Sequence, residues 1–154
     1  MKYKTINEIT TFDFSQSKIV DIKTSGDKLI LDLTDVIIDT ANSCNDEVEK
    51  MGTEELMLTF TVSDIEACED GYTVYNNDDT VYEKVEDKVI PVVAMPQFYE
   101  DIKDNFLAGI ECEDGEYRVL VDTEDPTVSY TIKIKATEDV EEWDAHHRLP
   151  AHLR

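Results

Sequence analysis

The sequence predicts a mainly β, α+β domain. It should be an antiparallel β-sandwich or incomplete barrel, with one helix packed on the sheet and a second helix at the C-terminus. Three observations predict this. Apolar and polar residues alternate at period two over Leu29–Leu33, Leu56–Val62 and Val128–Ala136, as in strands with one wet face. Gly- and Asn-rich turns separate the runs. Helical spacing occurs in only two places, so helices do not alternate with strands as in a βαβ fold. The alternating runs give about seven to nine strands.

The elements follow in order. Phe12 and Phe14 flank Asp13 as a short edge strand or arm. Val20 and Ile22 share one side of the next strand, and Ser25-Gly26-Asp27 is a turn. Leu29, Leu31 and Leu33 then face one way. The phase slips near Thr34-Asp35, after which Val36 and Ile38 carry the apolar face. A one-residue slip inverts every side chain, so a β-bulge is expected there. Asn42–Glu47 is a polar loop. Leu56, Leu58, Phe60 and Val62 alternate, and Ile65 and Ala67 enter after a second slip. Asp70-Gly71 should make a hairpin turn, and Asn76-Asn77-Asp78-Asp79 another.

The spacing predicts a helix over Pro96–Ala108. Phe98, Ile102 and Phe106 recur every four residues, Pro96 suits the first position and Gly109 the residue past the end. Tyr117, Val119 and Val121 form a strand, as do Ile132 and Ile134. Glu138–Leu149 reads as a terminal helix. Thr137 is its N-cap, its acids come first, and His146, His147 and Arg148 come last, in the order the helix dipole favours. The expected core is Leu29, Leu31, Leu33, Leu56, Leu58, Phe60, Val62, Ile132 and Ile134, with Phe98, Ile102 and Phe106.

The length of 154 residues suits one domain. With 36 acids against 14 Lys and Arg, the formal net charge is −22. Residues 1–145 form the acidic β-rich domain. Residues 146–154 form a short basic tail, native or appended, which holds two Arg and no acid. Arg118 is the only arginine before it. Nucleic-acid binding needs clustered Lys and Arg, so nucleic acid is excluded as a partner, and an anionic membrane surface for the same reason. No apolar run approaches the roughly 20 residues of a membrane span, and Met1–Thr10 has no apolar leader segment. The three cysteines, Cys44, Cys68 and Cys112, read as free thiols in a reducing cytoplasm.

Tests for chemistry are mostly negative. All three histidines, His146, His147 and His152, lie in the tail, so a catalytic base for a Ser or Cys nucleophile would have to come from there. The cysteines lack knuckle spacing for zinc. The five glycines, Gly26, Gly52, Gly71, Gly109 and Gly115, form no phosphate-cradling motif. Asn76-Asn77-Asp78-Asp79 with Glu83 offers hard oxygens to Ca²⁺, but without EF-hand order. A solvated hairpin tip explains it as well. Ile65–Tyr72 resembles Ile110–Tyr117 through a shared Cys-Glu-Asp-Gly. This is a duplicated thiol–carboxylate site or, as read here, two hairpins with the same turn chemistry. No catalytic residue, cofactor or metal is assigned.

Asp35–Asp39, Asn42–Asn45, Leu56–Phe60, Val85–Pro91 and the ending Val140-Glu141-Glu142-Trp143-Asp144 together resemble an uncharacterised group of small acidic bacterial proteins. The resemblance covers most of the chain and implies no activity. After Asp144 the chain departs from that pattern.

The function expected is non-catalytic: a protein-interaction module whose acidic surface neutralises a basic partner, as an immunity protein does a toxin. Glu69, Asp70, Asp78, Asp79, Glu113 and Asp114, clustered in turns, are the residues expected to face it. The alternative is a Ca²⁺ or small-molecule module with an apolar pocket lined by Tyr72, Tyr117 and Tyr130. A third reading, an enzyme using carboxylates alone, requires a buried acid of raised pKa in a cleft.

Overall fold

The computed structural model describes residues 1–153. In chain order its strands are β1 (Tyr3–Ile6), β2 (Phe12–Asp13), β3 (Ile19–Ser25), β4 (Lys28–Ile38), β5 (Met51–Glu69), β6 (Tyr72–Tyr75), β7 (Val81–Val85) and β8 (Lys88–Val89). A short helix, α1 (Met95–Asp101), follows. Then come β9 (Phe106–Glu113), β10 (Glu116–Asp122), β11 (Ser129–Trp143) and β12 (His147–Arg148). Nine of these strands have four or more residues. Every strand pairing is antiparallel.

The main sheet runs β3-β4-β5-β11-β10-β9, and its two edges meet. The Ile19 N–H donates to the Asn105 carbonyl at 2.9 Å and the Leu107 N–H to the Ser17 carbonyl at 2.9 Å. This bridge nearly closes the sheet into a barrel, and closure removes the open rims that strands otherwise expose. β1 pairs with β11 beyond the end of β10, opposing Thr5 to Glu141 and Tyr3 to Trp143.

The two phase slips have different origins. At Asp35 the backbone turns left-handed (φ 51°), yet Thr34 opposite Glu55 and Val36 opposite Thr53 keep one register with β5. No residue is inserted there, so the expected bulge is replaced by a twist. The second slip is a bulge. Lys135 opposes Asp64 and Ala136 opposes Val62, leaving Ser63 extra. On β11, Thr137 is extra in turn, between Ala136 and Glu138.

Leu29, Leu31, Leu33, Leu56, Leu58, Phe60, Ile132 and Ile134 are buried, as are Phe98 and Ile102 of the expected core. Val62 is half-buried and Phe106 is 55% exposed. Phe106 departs because the expected helix Pro96–Ala108 stops at Asp101. Asp104 is left-handed (φ 68°), and its N–H donates to the Ile19 carbonyl at 2.8 Å. Barrel closure thus takes the backbone groups that another helical turn would need. Phe106 then begins β9 instead.

The terminal helix expected over Glu138–Leu149 is also not formed. β11 continues to Trp143 and buries Asp139, Glu141 and Trp143 on its inner face. The bulge at Thr137 shifts that face from even to odd positions. Backbone pairing with both β5 and β1 outweighs the favourable helix charge order, which is worth about 1 kcal/mol or less per charge. The chain then turns back, and β12 pairs with β5. Leu149 is buried beside Gly52, where an added Cβ would lie 2.8 Å from the Leu149 Cδ2 atom. Among the described residues at this end, the helical turn is a 3-10 turn, Ala151–Leu153.

Asp70-Gly71 does not join paired strands. β5 pairs at its end with β8, while β6 and β7 form a separate two-stranded ribbon. Gly71 is required there by close approach rather than by a positive φ. An added Cβ would sit 2.1 Å from the Val85 carbonyl oxygen. Asp114-Gly115 does make the expected tight turn, with φ of 50° and 76°. The two Cys-Glu-Asp-Gly segments therefore do different structural jobs.

Candidate functional site

The most unusual surface of the chain is the ribbon and the segment after it. Eight of the thirteen exposed large hydrophobics among the described residues lie between Tyr72 and Val93. Tyr75 and Tyr82 are 62% and 72% exposed, and Val92 and Val93 are 86% and 91% exposed. An isolated two-stranded ribbon is marginal in water. Here its base is held by the Gly71 N–H, which donates to Asp87 Oδ1 at 2.6 Å. Below it, Ile22, Ile65, Val92, Met95, Pro96 and Tyr99 line an apolar groove of about 450 Å³. Asp78, Asp79, Glu83, Glu86 and Asp87 are exposed along the same segment, against Lys84 and Lys88. Clustered aromatics within a polar rim are the usual composition of a protein-binding patch.

The six residues expected to face a partner fall into two groups. Glu69, Asp70, Asp78 and Asp79 lie at or on the ribbon. Glu113 and Asp114 lie at the far end of the barrel. Glu69 is level with Tyr130 on β11, whereas Glu113 opposes Glu116, which is level with Lys135. Five residues along a strand is roughly 17 Å, so the two groups do not form one patch.

Asp70 is half-buried and accepts hydrogen bonds from Ser129 Oγ (2.8 Å) and Thr131 Oγ1 (2.7 Å). It ties the base of the ribbon to β11. Asp70→Ala should therefore lower stability by about 2 kcal/mol, as two hydroxyls lose a charged acceptor, and urea unfolding would measure it. Asp78 accepts from the Thr80 hydroxyl and the Thr80 N–H, which hold its carboxyl below the usual range. The Asn76 amide also bonds Thr80. One oxygen of the Asp78 carboxyl is thus engaged within the turn. Among the described residues, no three His, Cys, Asp or Glu side chains converge to hold a metal.

The three tyrosines do not share a pocket. Tyr72 is exposed, Tyr130 packs edge-on to Phe98, and Tyr117 is buried against Phe60. The cysteines are free. Desolvation, aided by nearby carboxylates, pushes the Cys68 and Cys112 thiols upward, away from nucleophilic thiolate. His146 Nδ1 accepts the Trp143 indole N–H at 3.2 Å.

The sequence reading missed a buried carboxyl pair. Asp139 and Glu141 are 2% and 0% exposed. Asp139 accepts the Tyr117 hydroxyl at 2.6 Å and the Ile9 N–H at 3.2 Å. Burial and this carboxylate together push the Tyr117 phenol upward. Among the described residues, neither Glu141 oxygen has a hydrogen-bond partner, nor has Thr5 Oγ1 across from it. Burial, then the neighbouring Asp139 carboxylate, push Glu141 up to about 9. Trp143 was the available signal. Adding the Thr137 bulge to the period-two pattern places Asp139 and Glu141 on the same face as that indole. Glu141 is fully sealed from solvent.

No helix among the described residues is long and apolar enough to cross a membrane. The chain matches no protein-family model, no curated protein and no solved structure.

Proposed function

We propose that the chain is a non-catalytic, cytoplasmic protein-interaction module that holds a basic partner, in the manner of an immunity protein. The observation that carries this reading is the ribbon, with tyrosines and valines held in water and interspersed with carboxylates. Apolar residues would supply affinity on contact, and the acids would steer a cationic partner. The ribbon end, rather than Glu113 and Asp114, is the contacting half, because of the two groups it alone lies among several exposed tyrosines, Tyr72, Tyr75 and Tyr82.

Site-specific photocrosslinking in the native host tests this. A crosslinker at Tyr82 should trap a basic protein, and one at Glu113 should not. The purified complex should weaken as salt rises, and Tyr75→Ser with Tyr82→Ser should weaken it at least tenfold without altering the circular dichroism of the chain. Equal trapping from both positions, or an acidic adduct, would overturn the reading.

A further inference from the structure

The buried carboxyl pair is unrelated to the ribbon and calls for its own account. Two carboxylates facing one another in the core would have no donor between them. Asp139 is supplied by Tyr117 and Ile9, whereas Glu141 is supplied by nothing. A buried polar group without a partner is costly, and a buried charge more so. A proton on Glu141 removes the charge and creates the missing donor, aimed at Asp139. We propose that Glu141 is the neutral acid in the native fold, shares its proton with Asp139, and makes seating of the N-terminal strap, residues 1–9, on β11 a proton-dependent latch.

The strap is the element poised to respond. β1 pairs with β11 alone, and Thr5 lies over Glu141. Beyond its strand pairing with β11 and the buried Ile9 side chain, the strap is tied mainly to the Asp139–Asp144 segment, through Lys2, Asn7 and Ile9, and to the Ser43 turn. Glu8 accepts from the Ser43 N–H and hydroxyl, and the Asn7 N–H donates to the Asp139 carbonyl. The titratable groups around the pair are Glu8 on the strap, Tyr117 on β10 and Cys112 on β9. Opposite Glu141, β5 presents only Leu58. Glu8 repels the charged form, and its backbone N–H, the group that favours that form, lies outside hydrogen-bonding geometry. Trp143, stacked on Tyr3 of the strap at 5.5 Å, is the only tryptophan and reports whether the strap is seated.

The sign follows from linkage. In the unfolded chain Glu141 loses its proton near 4.5; in the fold it keeps it to about 9. Between these values the native state holds a proton that the unfolded state has lost, so stability falls as pH rises.

Three measurements on the full chain test the latch. First, in urea unfolding from pH 5 to pH 9, the unfolding constant of the natural chain relative to Glu141→Gln should rise by up to tenfold per pH unit. Parallel profiles would overturn the proposal. Second, Trp143 emission in the natural chain should move to the red near pH 9 as the strap lifts, and should not in the variant. An unmoved emission overturns the latch. Third, should the variant fail to fold, infrared spectra of the natural chain alone should show one protonated carboxyl band at pH 7 that disappears above about pH 9. Absence of that band at pH 7 means Glu141 is ionised and overturns the proposal. So does a band replaced by stabilisation on adding Ca²⁺ or Na⁺, which would identify a cation between the carboxylates.

Discussion

Trp143→Ala is expected to lower stability by about 3–5 kcal/mol, the range for deleting a fully buried large aromatic. Trp143 is 0% exposed. It stacks on Tyr3, meets the Phe12 ring edge-on at 5.6 Å and donates its indole N–H to His146. One side chain therefore joins the strap, the β2 arm, the end of β11 and the turn toward β12. Its removal leaves a cavity on which four segments converge, none able to collapse without losing its own strand pairing. Urea unfolding followed by far-ultraviolet circular dichroism would measure the loss. Trp143→Phe should keep part of the stacking and lose the bond to His146, about 1 kcal/mol, plus a smaller cavity term than the alanine variant. A loss below 1 kcal/mol for the alanine variant would show that these segments hold to the barrel without the indole.

Gly71→Val is expected to separate the ribbon from the barrel while leaving the barrel folded. A Cβ at residue 71 would meet the Val85 carbonyl oxygen at 2.1 Å, the Glu86 carbonyl carbon at 2.7 Å and the Asp87 nitrogen at 2.8 Å. All three are backbone atoms and none can rotate away. The ribbon base must open, breaking the Gly71–Asp87 hydrogen bond. The barrel core does not pass through this point, so its unfolding should stay cooperative. Protease cleavage within Asn76–Asp79 should become much faster. Binding to the basic partner should fall roughly 30-fold, since a displaced hot spot costs about 2 kcal/mol. Unchanged cleavage and unchanged binding would show that the ribbon does not act as one rigid unit.

Much of the barrel was legible because its wall obeys period two. Leu29–Leu33, Leu56–Phe60 and Ile132–Ile134 bury the residues that alternation predicts. Errors arose where tertiary pairing outweighs a local signal. Phe98 and Ile102 do lie on one helical face, but backbone bonds between Asp104 and Ile19 end the helix, and no local pattern encodes a partner 85 residues away. Asp139 and Glu141 were read as first-turn acids of a terminal helix, and carboxylates are almost never fully buried. Their burial depends on a bulge at Thr137 and on a strap from the other end of the chain. The ribbon was half legible. Asn76–Asp79 marked its tip, but Asp70-Gly71 gave no sign that β6 leaves β5 rather than folding back on it. The exposed tyrosines, which carry the functional reading, look in the sequence like any other strand residues.

The position of β11 sets the order in which the chain can assemble. It lies between β5 and β10, and β1 pairs with its end, yet it leaves the ribosome after all three of these partners. Until residue 143 has emerged, β2 to β5 can pair among themselves, but the β11 side of β5 stays open, leaving Leu31, Leu58 and Phe60 without the cover of a closed barrel. Contacts such as Tyr3 with Trp143 span almost the whole sequence, and such contacts form slowly. A growing chain with an uncovered apolar wall is prone to association. Dense negative charge keeps such chains apart during the wait, because like-charged chains repel and added acids favour solubility. The acidity of this sequence thus protects the nascent chain as well as the finished surface, and a chain terminated before Ser129 should accumulate as soluble, unclosed polypeptide rather than as a smaller barrel.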